Sequence, residues 1–199
     1  MSSTAAAHRR VGWALIVTGS VALAASFMLV VEKIQLLQDP NTVLSCDIGP
    51  FIACAPVMAS PSASLFGFPN QILGLISFAA IITTGVVLLA GARMSRWYWR
   101  AFAAGVVLAG GFVTWLQFQS IFAIGSLCAW CMLVWAATIP LIVIALGYTL
   151  GTQSIGGSAL RPLGAFLQRY AISVIAVWYL VVLGAVAIAF YDDFALLIG

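Results

Sequence analysis

Apolar runs separated by short polar or charged stretches set the rhythm of this chain. They fall at about 11–31, 71–92, 101–122, 128–150 and 171–191. At 1.5 Å of rise per residue, each is long enough as a helix to cross roughly 30 Å of hydrocarbon. The pattern therefore predicts five transmembrane helices. The second and third runs are divided by "RMSRWYWR", whose Trp and Tyr suit an interfacial belt. The fourth and fifth are divided by "GTQSIGGSALRPLGAFLQR", which reads as a polar loop. Only a few residues separate the third from the fourth, so these two are expected to be antiparallel neighbours. The long connection, about 32–70, lies between the first and second runs and carries a short segment at about 56–66, expected to be helical.

Composition narrows the class. The 199 residues are 64% hydrophobic and 7% charged, with a mean hydropathy of +1.15. Soluble domains carry about 25% charged residues. The expectation is an all-α integral membrane protein forming one domain, 1–199: a four-helix bundle, a fifth helix and a long outer loop with a short helix. A net charge of +3, scattered in small clusters, points to no nucleic-acid partner. Orientation follows from the basic residues. With the N-terminus inside, Arg9, Arg10, Arg93, Arg96, Arg100, Arg161 and Arg169 all fall on the cytoplasmic side, and only Lys33 does not. All five acidic residues (Glu32, Asp39, Asp47, Asp192, Asp193) then fall outside, with the C-terminus. "HRR", an apolar stretch and "ALA" at 22–24 resemble a cleaved signal peptide, but the run continues to Val31, so the segment is expected to stay as a span. The expected location is a bacterial cytoplasmic membrane.

This topology puts every cysteine on one face. Cys46 and Cys54 lie in the outer loop, Cys128 and Cys131 at the outer end of the fourth helix. Four cysteines on the oxidising side suit disulfide chemistry. At i and i+3 of a helix, the sulfurs of "CAWC" share a face, and a helix N-terminus favours the reactive thiolate. Cys131 lies about 4.5 Å deeper than Cys128 by helical rise. The outer sulfur can meet protein thiols while the inner one faces the lipid phase, where a quinone is the obvious oxidant. CxxC in a membrane helix also fits buried small apolar residues, a static disulfide staple or, with all four cysteines, a metal site, although no His or carboxylate cluster supports the last. His8, the one histidine, is expected in the cytoplasmic tail, away from this site.

The stretch "SCDIGPFIACAPVMASPSASLFGFPNQILGL", followed by "SLCAWCML", resembles the vitamin K epoxide reductase family in its bacterial branch. The shared features are C-D-x-x-P-x-x-x-C in the first outer loop, a Ser six residues after the second Cys (Ser60), "FGFPN" entering the second helix, and CxxC opening the fourth. The resemblance covers roughly residues 11–150. It implies an oxidase that regenerates a thioredoxin-like (DsbA-like) disulfide donor and reduces a quinone, menaquinone or ubiquinone. Some members carry the donor as a fused C-terminal domain; this chain stops at Gly199, implying a separate partner.

The resemblance further implies a relay. A reduced partner attacks the Cys46–Cys54 pair, Cys54 exchanges with Cys128, and Cys131 engages the quinone. Asn70 matches the family residue that hydrogen-bonds a quinone carbonyl, and equally suits an N-cap or turn after Pro69. Ser60 matches a serine near the loop cysteines and equally suits a cap of the short segment. Asp47 reads as a solvated loop or turn residue rather than a catalytic acid. Phe51, Phe66, Phe68, Trp115, Phe118, Trp130 and Trp135 are available to line an apolar pocket, and none is singled out. Trp135 replaces the Tyr found four residues after the second CxxC cysteine in the vertebrate members that reduce vitamin K epoxide. An indole cannot make the phenolic hydrogen bond, which favours plain quinone over epoxide. Two rivals stand beside this reading. A DsbB-type oxidase has its CxxC before the loop pair, whereas here the loop pair comes first; a non-enzymatic membrane scaffold would use its disulfides only as staples.

Overall fold

In a computed structural model of the protein, residues 3–191 are described apart from 50, 154 and 156, with side chains from residue 6 onward. Pro50 of the loop motif, Asp192 and Asp193 lie outside the described residues. Helix α1 runs Ser3–Gln38 and α2 is a short helix, Cys54–Ala59, followed by a 3₁₀ turn, Pro61–Ser64. Helices α3 (Gln71–Leu89), α4 (Arg96–Phe118), α5 (Ala129–Gly147), α6 (Gly157–Arg169) and α7 (Ala171–Ala189) complete the order. Both α4 and α5 widen into π turns, Gln119–Ile124 and Tyr148–Thr152. Among the described residues, five helices are long and apolar enough to cross a membrane. The fold is thus all-α and membrane-spanning, as the hydrophobic rhythm predicts.

Several boundaries differ from the sequence expectation: α1 starts at Ser3 rather than about 11, so His8 lies in the helix and not in a tail. Helix α1 does not end with its apolar run but continues through "EKIQLLQ", residues that favour helix, so the long connection is 39–70 rather than 32–70. Helix α4 starts at Arg96 inside "RMSRWYWR", where the Ser95 side chain accepts a hydrogen bond from the Tyr98 N–H. The segment read as a polar loop contains α6. Leu160, Leu163, Phe166 and Leu167 recur at helical spacing there, and Arg169 sits in its last turn.

Small residues bring α1 and α3 together. Gly12, Gly19 and Ser26 recur every seven residues along one side of α1. Gly12 meets Gly85 and Leu89, Gly19 meets Ile81 and Ile82, and Ser26 meets Gly74, so the helices run antiparallel. A Cβ on Gly85 would lie 2.8 Å from the Gly12 carbonyl oxygen. Such close backbone approach is how helices pack in lipid, where no hydrophobic drive brings them together. Helix α5 also packs on α1, and α4 and α7 flank it.

Pro140 lies inside α5 and has no N–H to give the Ala136 carbonyl. The Tyr179 hydroxyl of α7 donates to that carbonyl instead, fastening a helix with no buried residue of its own. His8 and Trp99 stack edge-on against Tyr148 at one end of the bundle, with ring centroids 5.7 and 5.2 Å apart. The cysteines lie at the other end.

The α1–α3 contact generates a stability prediction. Gly85→Leu overpacks it at a cost of about 1–3 kcal/mol, read as a lower thermal unfolding midpoint in detergent. Gly105→Leu, with nothing within 4 Å of its Cβ, leaves the midpoint in place.

Candidate functional site

The connection after α1 is sewn to the turn between α4 and α5. Ile52 and Leu127 form a parallel bridge: Ala53 N–H donates to Leu127 O at 2.9 Å, and Leu127 N–H to Phe51 O at 2.8 Å. The Ser126 hydroxyl adds a bond to Ala53 O at 3.0 Å. The Leu127 turn is itself held, because Ser120 Oγ donates to Ser126 O at 2.6 Å and Gly125 takes a left-handed φ of +65°. The residue after this seam on one side is Cys54, and on the other Cys128.

The consequence is a close group of sulfurs. Cys46 and Cys54 are joined as a disulfide with Cα atoms 5.8 Å apart. Cys128 and Cys131 are free thiols. Cys54 Sγ lies 2.9 Å from Cys128 Sγ, and the sulfurs of Cys46, Cys54 and Cys128 all lie within 4.8 Å of one another. All three residues are at most 2% exposed. In this state two of the three sulfurs are bonded to each other, so the cluster offers one thiol rather than a thiolate ligand set. Its geometry is that of thiol–disulfide exchange, in which a thiolate meets a disulfide sulfur.

Asp47 does more than the solvated turn residue expected from the sequence. One carboxylate oxygen accepts from Cys54 N–H at 2.6 Å and Ala55 N–H at 3.4 Å, the other from Leu44 N–H at 3.2 Å. It supplies the first turn of α2 with an acceptor from seven residues upstream and fixes the backbone of Cys54. Lys33 holds the other end of α2, its ammonium donating to Met58 O at 2.8 Å. Cys128 is the N-cap of α5, its sulfur accepting from Cys131 N–H at 3.4 Å.

Cys131 sits where two apolar clusters meet. One contains Cys46, Cys54, Met58 and Cys128; the other contains Phe51, Ile121, Leu127, Trp135 and Phe190. Trp135 is thus buried on the Cys131 side of the site. Asn70 and Ser60 serve the loop. Asn70 Nδ2 donates to Ser62 O at 2.6 Å and its Oδ1 accepts from Leu65 N–H at 3.3 Å, while Ser60 Oγ donates to Val57 O at 2.7 Å. Asn70 stands at the N-cap of α3 without its side chain capping that helix. The remaining aromatic candidates divide: Phe66 contacts Phe112, which stacks on Trp115, whereas Phe118 contacts Phe122.

One residue of the site escapes a reading of the sequence. Glu32, near the end of α1, is 2% exposed, and its Oε2 lies 2.7 Å from Cys46 Sγ. Its Oε1 accepts from the Ser45 hydroxyl and from Trp130 Nε1–H, the latter at 3.2 Å. The one signal for it in the chain is a carboxylate directly after an apolar run, ahead of the loop cysteines.

A helical membrane bundle holding a disulfide against a free thiol of a CxxC defines a redox protein of the membrane. The chain matches the vitamin K epoxide reductase family over residues 13–146 and belongs to that family of membrane oxidoreductases. No curated protein matches it.

Asp47 carries a prediction of its own. Asp47→Ala removes an acceptor from three N–H groups, at a cost of about 1–2 kcal/mol. Dithiothreitol then opens the Cys46–Cys54 disulfide several-fold faster, as followed by alkylation of the released thiols.

Proposed function

We propose that the protein is a thiol–disulfide oxidoreductase. It passes electrons from a reduced thioredoxin-like partner outside a bacterial cytoplasmic membrane, through Cys46/Cys54 and Cys128/Cys131, to a quinone, and so supports disulfide formation. The observation that carries this reading is the 2.9 Å approach of Cys54 and Cys128. Family membership supports it. So does the seven-to-one distribution of basic residues, which favours the cysteine end as the outer one.

The chain's own chemistry runs as follows. A partner dithiol reduces Cys46–Cys54 and leaves with a disulfide. The Cys54 thiolate attacks Cys128 of a Cys128–Cys131 disulfide; the Cys54–Cys128 bond forms and Cys131 departs with the electron pair. Cys46 then attacks Cys54, the Cys46–Cys54 bond re-forms, and Cys128 departs as a thiolate. Each exchange breaks one S–S bond and makes one, so the two electrons move from the loop to the helix without net change among the four sulfurs.

The surroundings of Cys131 fit a flat apolar acceptor, because Phe51, Ile121 and Trp135 supply apolar walls on one side of it. A bound quinone supplies the acceptor for the two electrons and two protons of the Cys128/Cys131 dithiol. Asn70, which gives Ser62 one of its two amide hydrogens, is proposed to offer the other to a quinone carbonyl. Trp135 donates but does not accept through its indole N–H, which favours plain quinone over the epoxide.

The test is oxidation of a reduced thioredoxin-like protein by the purified enzyme with and without menaquinone or ubiquinone. Turnover is expected to require quinone. It falls by several orders of magnitude in Cys131→Ala, which accumulates the Cys54–Cys128 disulfide. Turnover indifferent to quinone, or undiminished in Cys131→Ala, overturns the reading.

A further inference from the structure

The relay leaves a proton unaccounted for. Cys46 must lose its thiol hydrogen to close onto Cys54, and must regain one whenever it is released. Only the thiolate is an effective nucleophile, so a group touching this sulfur controls the step.

Glu32 is in that position. It is delivered by the part of α1 that continues past the apolar run, and it is buried with both oxygens engaged. Trp130 and Ser45 bond Oε1, which orients the carboxyl group and leaves Oε2 to face Cys46 Sγ at 2.7 Å. Burying such a group is costly unless its polar atoms are satisfied, and here each oxygen has a contact. A disulfide sulfur carries no hydrogen. While Cys46–Cys54 is closed, Cys46 Sγ has no hydrogen to give Oε2; once Cys46 is a thiol, its hydrogen faces Oε2 directly.

The other titratable groups nearby are committed elsewhere or lie on the exchange path. Lys33 bonds Met58 O. Asp47 bonds the N–H groups of Leu44, Cys54 and Ala55. Cys128 and Cys131 belong to α5 and serve the partner disulfide.

We propose that the Glu32 carboxyl group is the proton exchanger of Cys46, taking the thiol proton as Cys46 closes onto Cys54 and returning it when Cys46 is released. The step balances. The Cys46–Cys54 bond forms, the Cys54–Cys128 bond breaks, Cys128 leaves with the electron pair as a thiolate, and the proton passes from Cys46 Sγ to Glu32 Oε2. Reversal retraces the same path. Glu32 thus acts as base in one direction and acid in the other.

This rests on the relay above, so its test uses steps that need neither quinone nor a partner protein. Infrared difference spectra are recorded as dithiothreitol opens Cys46–Cys54 in the wild-type protein. The carbonyl-stretch band of a protonated carboxylic acid is lost on reduction, returns on reoxidation, and is absent from the difference spectrum of Glu32→Gln. A wild-type spectrum without that change overturns the proposal. In the Cys131→Ala background, interconversion of the Cys46–Cys54 and Cys54–Cys128 disulfides is followed by acid quench and alkylation. Adding Glu32→Gln slows it on the order of a hundredfold, and Glu32→Asp restores much of the rate. An unchanged rate with Glu32→Gln also overturns the proposal. If Glu32→Gln does not fold, or no Cys54–Cys128 disulfide forms, the wild-type spectrum decides alone. If quinone proves irrelevant to turnover while the carboxyl band still changes, the acceptor reading fails and the role of Glu32 stands.

Discussion

The site depends on a seam of backbone hydrogen bonds between two connections that are far apart in sequence. Phe51, Ile52 and Ala53 run beside Leu127 as a parallel pair, and the seam ends where the two cysteines begin. A sulfur on a long floating loop would meet a helix-borne thiol only occasionally. Fixing the two backbones holds the two sulfurs 2.9 Å apart, and pre-orientation of this kind removes part of the entropic cost of any exchange between them. Asp47 completes the arrangement by holding the N–H of Cys54 from within the same loop. The disulfide to Cys46 closes the loop behind it.

The bundle presents that seam at a fixed height. Small residues let α1 and α3 touch along their backbones, and α5 packs on α1 beside them. Helix α1 reaches past the apolar layer and carries Glu32 and Lys33 to the cysteine end. Glu32 meets Cys46 and Trp130, Lys33 meets the last turn of α2. The polar contacts around the sulfurs thus hang from an element whose own stability comes from close packing well below them.

Much of this is legible in the chain itself. Hydropathy and the alternation of basic clusters are properties of the chain in one dimension, so five spans and four cysteines at one end of the bundle can be read directly. The place of CxxC at the start of a helix follows from where the fourth apolar run begins. What stays hidden depends on contacts across the fold. Glu32 and Lys33 look like the end of a helix because charges commonly mark a membrane boundary; the helix instead continues, and each has a partner across the fold. Asp47 looks solvated because its N–H partners are drawn in only when the loop folds back on itself. Helix α6 is masked by Gly, Ser and Pro around its start, although its leucines and Phe166 keep the helical period. The roles of Asn70 and Ser60 are open in the sequence. Their observed bonds are to the backbone of the 57–65 turn, a use that spacing cannot separate from contact with a ligand.

The sulfur of Cys128 has two duties, since it also stands at the N-cap of α5. As a thiolate it is an anion at the positive end of a helix and a good acceptor for Cys131 N–H. Bonded to Cys54 in the proposed relay, it becomes a neutral, weaker acceptor for the N–H in the first turn of α5. That turn contains Cys131. In that relay, the bond formed at one sulfur weakens the acceptor at the head of the helix that carries the next.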